Sequence, residues 1–307
     1  MDQGPGAGDR GVGSLESALG GRRGAWQPGE AMALARGDEF RVALDGVVFG
    51  RGQRRVFEGL SCGFPRGQIS VVLGGSGSGK STLLRLIGGL ERADSGSVRV
   101  AGEDISRLTE RELFRTRARI GMLFQHGALL DSLSVFDNVA LPLREHTQLA
   151  EPEIAAEVRR RLAAVGLQDA EALLPGQLSG GMNRRAGLAR AIVTDPEIVL
   201  CDEPFSGLDP VNVRRIEALL AELNERLGLT LIITSHHIPS SLRMAHRLVF
   251  LVEGTAIAGP PRELLESDDP RLAGFLAAEL SETWEGENGP GLHAALASLP
   301  ARPRGAA

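Results

Sequence analysis

The stretch VVLGGSGSGKSTLLRLIGGL, residues 71–90, constrains the chain more than any other. An apolar, β-branched run leads into a glycine-rich turn, and the turn into leucines at helical spacing. A strand, a tight loop and a helix are the simplest reading. Gly74, Gly75, Ser76, Gly77, Ser78, Gly79, Lys80 and Ser81 fit the spacing G-x-x-x-x-G-K-[ST] in the context that motif needs. The glycines let backbone N–H groups turn inward around phosphate oxygens. The following helix adds the positive end of its dipole. The motif also holds the only lysine: of 34 lysines and arginines, 33 are arginine. A compact ammonium reaches between the β- and γ-phosphates, where a planar guanidinium is too bulky. The surviving lysine points to a nucleoside triphosphate.

The rest of the chain repeats the strand–helix alternation. FRVALDGVVF, QISVVL, SVRVAG, RIGMLF, EIVLCDE and TLIITSHH read as strands. KSTLLRLIGGL, GGMNRRAGLARAIV and PVNVRRIEALLAELNERLG read as helices. Such alternation implies a mostly parallel sheet with helices on both faces and functional loops at the carboxyl ends of its strands. From about 128 to 178 the pattern turns wholly helical, which predicts an inserted subdomain. RLVFLVEGTAIAG reads as a hairpin, and PRELLES and PRLAGFLAAEL as short helices. Residues 1–37 carry ten glycines and no periodicity, so a disordered leader is expected, and Met32 competes with Met1 as the start. The expected core runs over 38–265, followed by a C-terminal helix and loose tail over 266–307.

Composition removes some function classes. The net charge of −5 gives no bulk attraction to nucleic acid. Cys62 and Cys201 are far apart and form no metal-type spacing. No secretory signal is evident, and no run reaches about 18 apolar residues. A cytosolic, soluble chain is expected.

The apolar strand IVLCDE ends in Asp202 and Glu203. Beside a phosphate loop, Asp202 suits the shell of a Mg²⁺ ion whose other ligand is the Ser81 hydroxyl, and Thr82 suits a bond near the α-phosphate. Glu203, one residue on, is placed to polarise an attacking water.

Three further motifs carry a resemblance. LSGGM (178–182), DEPFSGLDP (202–210) and TSHH (234–237) resemble the signature, Walker B with D-loop, and switch histidine of ABC transporter ATPases. The resemblance covers roughly residues 39–265. It implies an α/β fold: an ABC-type, RecA-like P-loop NTPase core with a small antiparallel β part and the inserted helical subdomain. It implies ATP and Mg²⁺ as cofactors and a head-to-tail dimer, with Ser179, Gly180 and Gly181 covering the ATP of a second copy. Asp209 would cross that interface, and His236, rather than His237, would contact the γ-phosphate. Gln125 matches the Q-loop, which senses Mg²⁺ and relays motion to a membrane partner. Members usually stack adenine on an aromatic, most often tyrosine, but this chain has no tyrosine. The register of GVVFGRGQ places Arg51 there, with Phe49 two residues earlier as the alternative.

Met182 stands where most signatures carry glutamine. With LFQHGALLDSLSVFDNVALPLREHTQL (123–149), it resembles the MlaF type, the ATPase subunit of the Mla phospholipid transport system. That resemblance implies a peripheral protein on the cytoplasmic face of the inner membrane. Its implied partners are an MlaE-like permease, an MlaB-like STAS-domain protein and, through the complex, an MlaD-like lipid-binding protein, with no nucleic acid. Arg144 and Glu145 are expected to grip the permease. The competing readings are an ATPase for another ABC importer or exporter, and a soluble ABC protein acting on nucleic acid. Against the second stand a single nucleotide core, no heptad insertion, no zinc-type cysteines and no basic patch.

Overall fold

The structure, a computed structural model, describes residues 39–125, 127–272 and 274. The expected leader, the C-terminal tail and most of the helix read from PRLAGFLAAEL lie outside the described residues.

The strands are β1 (Phe40–Arg51), β2 (Arg54–Pro65), β3 (Ile69–Leu73), β4 (Ser95–Val100), β5 (Glu103–Asp104), β6 (Ile120–Leu123), β7 (Ile198–Asp202), β8 (Thr230–Thr234), β9 (Arg247–Val252) and β10 (Thr255–Gly259). The helices are α1 (Lys80–Ile87), α2 (Glu110–Arg117), α3 (Val135–His146), α4 (Glu151–Ala164), α5 (Gly180–Ile192), α6 (Pro210–Leu227), α7 (Ile238–Met244) and α8 (Pro261–Leu265). Two sheets form, in the orders β2-β1-β4-β5 and β10-β9-β3-β8-β7-β6. The second is parallel from β9 through β6, and β10 closes it by a hairpin on β9.

The central strands are buried on both faces, as covered parallel strands must be. Side chains alternate across the sheet. Val71, Val199, Cys201, Leu231 and Ile233 enter one core with α6 and α7. Val72, Ile198, Leu200 and Ile232 enter the opposite core with α1 and the antiparallel sheet. Burial pushes both thiols, Cys62 and Cys201, up to about 12, so both are inert packing residues.

A third core joins α3, α4 and α5 through Val139, Val158, Leu162 and Ala189. Helix α5 belongs to two cores, with Leu188 and Ile192 facing the sheet and Ala186, Ala189 and Val193 facing the helical block.

Two features depart from the sequence reading. Strand β2 was not anticipated, because Gly59, Gly63 and Pro65 break its apolar pattern. Its register with β1 explains them: Gly63 pairs with Ala43, and a Cβ at Gly63 would stand 2.6 Å from the Phe40 ring. Strand β4, read as part of the alternating sheet, belongs to the antiparallel one.

Candidate nucleotide site

The loop between β3 and α1 turns through left-handed backbone at Gly77 (φ 75°) and Gly79 (φ 101°). Gly79 is doubly required. Its φ disfavours any side chain, and a Cβ there would meet Phe57 and Val56 at 2.8 Å. Helix α1 opens directly behind it, with no side chain capping its first amides. Lys80 is 7% exposed. Its Nζ donates to the carbonyls of Gly74 (2.7 Å) and Gly75 (3.3 Å) and stands 2.8 Å from His236 Nε2.

Strand β7 delivers the acidic pair. Asp202 Oδ1 accepts from Ser81 Oγ at 3.2 Å and from Thr234 Oγ1, at the end of β8, at 2.6 Å. Glu203 then leaves the strand with φ +47°, a strained conformation for a glutamate. Thr234 holds it there: the Glu203 amide donates to the Thr234 carbonyl (3.2 Å) and hydroxyl (3.0 Å). The carboxylate accepts from the His236 amide at 3.3 Å through Oε2, and Oε1 stands 3.3 Å from His236 Nε2. Oε1 is buried and accepts no hydrogen bond. Burial raises the Glu203 pKa, while His236 and Lys80 pull it back down.

Lys80, Ser81, Thr82, Gln125, Glu203 and His236 line one cavity of about 940 Å³. Ser76, Gly77 and Gly79 line it as well. Gly74 and Gly75 contribute through the carbonyls that hold Lys80, and Asp202 through Ser81. Ser78 closes the loop, its amide donating to the Gly75 carbonyl at 3.2 Å.

The signature is elsewhere. Neither Ser179, Gly180 and Gly181 nor Asp209 lines the cavity. Ser179 caps α5 by accepting from the Met182 amide at 3.3 Å. Asp209 caps α6, accepting from the amides of Val211 (3.0 Å) and Asn212 (3.1 Å), and these bonds together with the Asn212 side chain hold its pKa low.

At the other end of the cavity, Arg51 lines the wall and pairs with Glu91. Phe49 does not reach it. Its ring is 7% exposed and belongs to the core between the sheets, so the alternative of a Phe49 stack falls. Sequence reasoning missed Arg54, Val56 and Phe205, which also line the cavity, as does His237, the histidine set aside in favour of His236. Arg54 Nη2 donates to the Gly77 carbonyl at 3.1 Å and ties β2 to the phosphate loop. The unread strand β2 concealed it.

His237 lines the cavity in a different role. It caps α7, its Nδ1 accepting from the Ser240 amide at 3.2 Å. Burial lowers its pKa, which keeps the ring neutral and able to accept.

A glycine-built phosphate loop, an acidic strand end and a switch histidine on one parallel sheet define a P-loop nucleoside triphosphatase. A family model described as ABC transporter matches residues 57–206. The intermembrane phospholipid transport system ATP-binding protein MlaF of Haemophilus influenzae is 45% identical over 239 residues, 78% of this chain and 90% of that protein. The probable ribonucleotide transport ATP-binding protein mkl of Mycobacterium tuberculosis is 41% identical over 256 residues, 82% of this chain and 70% of that protein. Among solved structures, the ATP-binding cassette MJ0796, a dimer bound to ADP and Pi, aligns with a TM-score of 0.66 at 30% identity, covering 72% of this chain and 98% of that one. The chain belongs to the ABC transporter family, as an ATP-hydrolysing subunit of the MlaF type.

Proposed function

We propose that the chain is the ATPase of a complex that moves phospholipids between the inner and outer membranes. The observation that carries the reading is the convergence of Lys80, Ser81, Glu203 and His236 on one cavity, in a chain 45% identical to an intermembrane phospholipid transport ATP-binding protein.

The phosphate loop amides and Lys80 hold the β- and γ-phosphates. Ser81, Asp202 and Gln125 would hold Mg²⁺. The Ser81 hydroxyl and Asp202 carboxylate already meet at 3.2 Å, and an all-oxygen donor set suits this hard cation. When bound, the ion neutralises charge on the β- and γ-phosphates. Glu203 orients a water for in-line attack and takes its proton. The raised pKa suits a base, and Oε1, which accepts no hydrogen bond among the described residues, offers the acceptor. His236 leaves Lys80 to contact the γ-phosphate. Because Ser179, Gly180 and Gly181 lie off the cavity, a second copy supplies them, and the dimeric MJ0796 structure supports that assembly.

Arg51 stacks on adenine. Its bond to Glu91 is an exposed ion pair of little strength and is readily exchanged for the base. Arg51→Ala is expected to weaken ATP binding roughly fivefold, about 1 kcal/mol, in fluorescent-nucleotide titration. Unchanged affinity in that variant removes Arg51 from base recognition.

Among the described residues no helix is long and apolar enough to cross a membrane. A permease must therefore dock from outside. A groove of about 330 Å³ lies between the core and the helical block, lined by Met122, Phe124, Leu141, Pro142, His146 and Arg190. Phe114, half exposed, stacks on His146 at 4.8 Å. This mixed seat, apolar along Met122, Phe124, Leu141 and Pro142 and basic at Arg117 and Arg190, suits an MlaE-like permease helix, with MlaB-like and MlaD-like proteins joining through the complex at the cytoplasmic face of the inner membrane. Arg144 already has partners within the block. It bridges Asp137 (3.0 Å) and Glu151 (2.9 Å), which staples α3 to α4.

Phe114→Glu with His146→Glu should leave ATP affinity within about twofold, yet cut permease co-purification and lipid transfer in reconstituted vesicles by roughly tenfold, since one places a carboxylate in the groove and the other beside it, where each removes a ring contact. Normal assembly and transfer would exclude the groove. Absence of any co-purifying permease from wild-type membranes would exclude the transport reading. ATPase activity stimulated by nucleic acid would favour the soluble alternative.

A further inference from the structure

Arg184 sits on the second turn of α5, is 2% exposed, and lies outside every motif used above. Its Nη2 donates to the Ser206 carbonyl at 2.7 Å. Its Nε and Nη1 are buried and donate to nothing. Such a group is costly to bury, because two guanidinium donors stay unsatisfied in a low-dielectric setting. A merely structural role is met more cheaply by an apolar side chain of similar length.

What Arg184 holds gives the burial a reason. Ser206 closes the turn that begins at Glu203: its amide donates to the Glu203 carbonyl at 3.2 Å. The same turn runs on through Leu208 to Asp209. Leu208 and Asn212 meet the start of α5 at close range, since a Cβ at Gly180 would stand 3.6 Å from Leu208 and one at Gly181 would stand 2.9 Å from Asn212. Arg184 thus ties the helix that begins with the signature to the turn that begins with the base. The charge of Glu203 also acts on the guanidinium, opposing the effect of burial.

We propose that Arg184 is a positioning residue for hydrolysis: it fixes the Glu203–Asp209 turn against α5, so that engagement of the signature end sets the Glu203 carboxylate for attack. The inference rests on the roles given above to Glu203 and the signature. It separates binding from chemistry. Nucleotide enters between the phosphate loop and β2, which Arg184 does not touch. The attacking water sits by Glu203, whose turn Arg184 holds.

The test uses the full chain in its membrane complex, with Arg184→Met and Arg184→Lys. Arg184→Met removes the bond to Ser206 while keeping the apolar stem. It should lower kcat for ATP hydrolysis by roughly tenfold or more, as displacement of a positioned group does, and leave KM and fluorescent-nucleotide affinity within about twofold. Arg184→Lys keeps one donor and should recover much of the lost kcat. Thermal melting of the purified chain is measured alongside. Undiminished kcat in Arg184→Met overturns the inference. So does a parallel fall of kcat, nucleotide affinity and melting temperature that lysine does not rescue, for that is the behaviour of a structural residue. A wild-type complex that does not hydrolyse ATP overturns the functional reading itself, and this inference with it.

Discussion

Glu203→Gln should bind MgATP with near wild-type affinity and hydrolyse it roughly 10²–10⁴-fold more slowly, the usual effect of losing a general base. The amide retains the length of the side chain, and its one carbonyl oxygen can still accept from the His236 amide in the place of the carboxylate oxygen Oε2, so the loop should hold its shape. It cannot take a proton. The strained backbone at residue 203 is set by Thr234, not by the side chain, and survives the change. The variant should accumulate as a closed, ATP-bound dimer, seen as a shift to twice the monomer mass in size-exclusion chromatography with light scattering. Turnover of the assembled complex at the wild-type rate would take Glu203 out of the catalytic role.

Lys80→Arg should also abolish most hydrolysis, on the order of 100-fold, although it keeps the charge. The ammonium is nearly enclosed and faces three partners, the carbonyls of Gly74 and Gly75 and the His236 ring, at 2.7, 3.3 and 2.8 Å. Three N–H donors meet three acceptors. A guanidinium is larger and planar, and fitting it would push the loop or His236 aside, at about 1–3 kcal/mol for an overpacked site. The loss should therefore show first in nucleotide affinity and then in turnover. Isothermal titration with ATP separates the two. Wild-type affinity and rate in Lys80→Arg would mean that the loop tolerates either cation.

The parts of the fold with strict periodicity were legible in the sequence. Strands β3, β7 and β8 are short, mostly apolar runs, β3 leading into the glycine loop and β7 and β8 ending in Asp202 and Thr234, and their burial on both faces leaves no other pattern open to them. The phosphate loop was legible for a different reason: its glycines are demanded by φ and by close contact, so few sequences can make it. Strand β2 escaped because its glycines answer to a partner strand, and partners are invisible to a local reading. Arg54 escaped with it. Arg144 shows the converse limit. Its charge suggested an external partner, whereas α4 brings Glu151 to it from within the same block. Among arginines the chain's composition hides function. With 33 of them, neither the buried Arg184 nor the wall residue Arg51 stands out by residue type. For lysine the same bias has the opposite effect, and Lys80 announced its site.

That bias has a chemical consequence. The chain carries one side-chain primary amine, and it sits at the floor of the cavity, 7% exposed. On most proteins, acyl transfer to lysine scatters over many surface amines, and most of the adducts are silent. Here the surface offers none. Any acylation of a lysine side chain must enter the phosphate loop, erase the positive charge and block the nucleotide in one event. Bound nucleotide in turn shields that amine. If the cavity takes nucleotide as proposed, the loaded subunit would be closed to lysine-directed marking, and in the empty one marking and inactivation would be the same reaction.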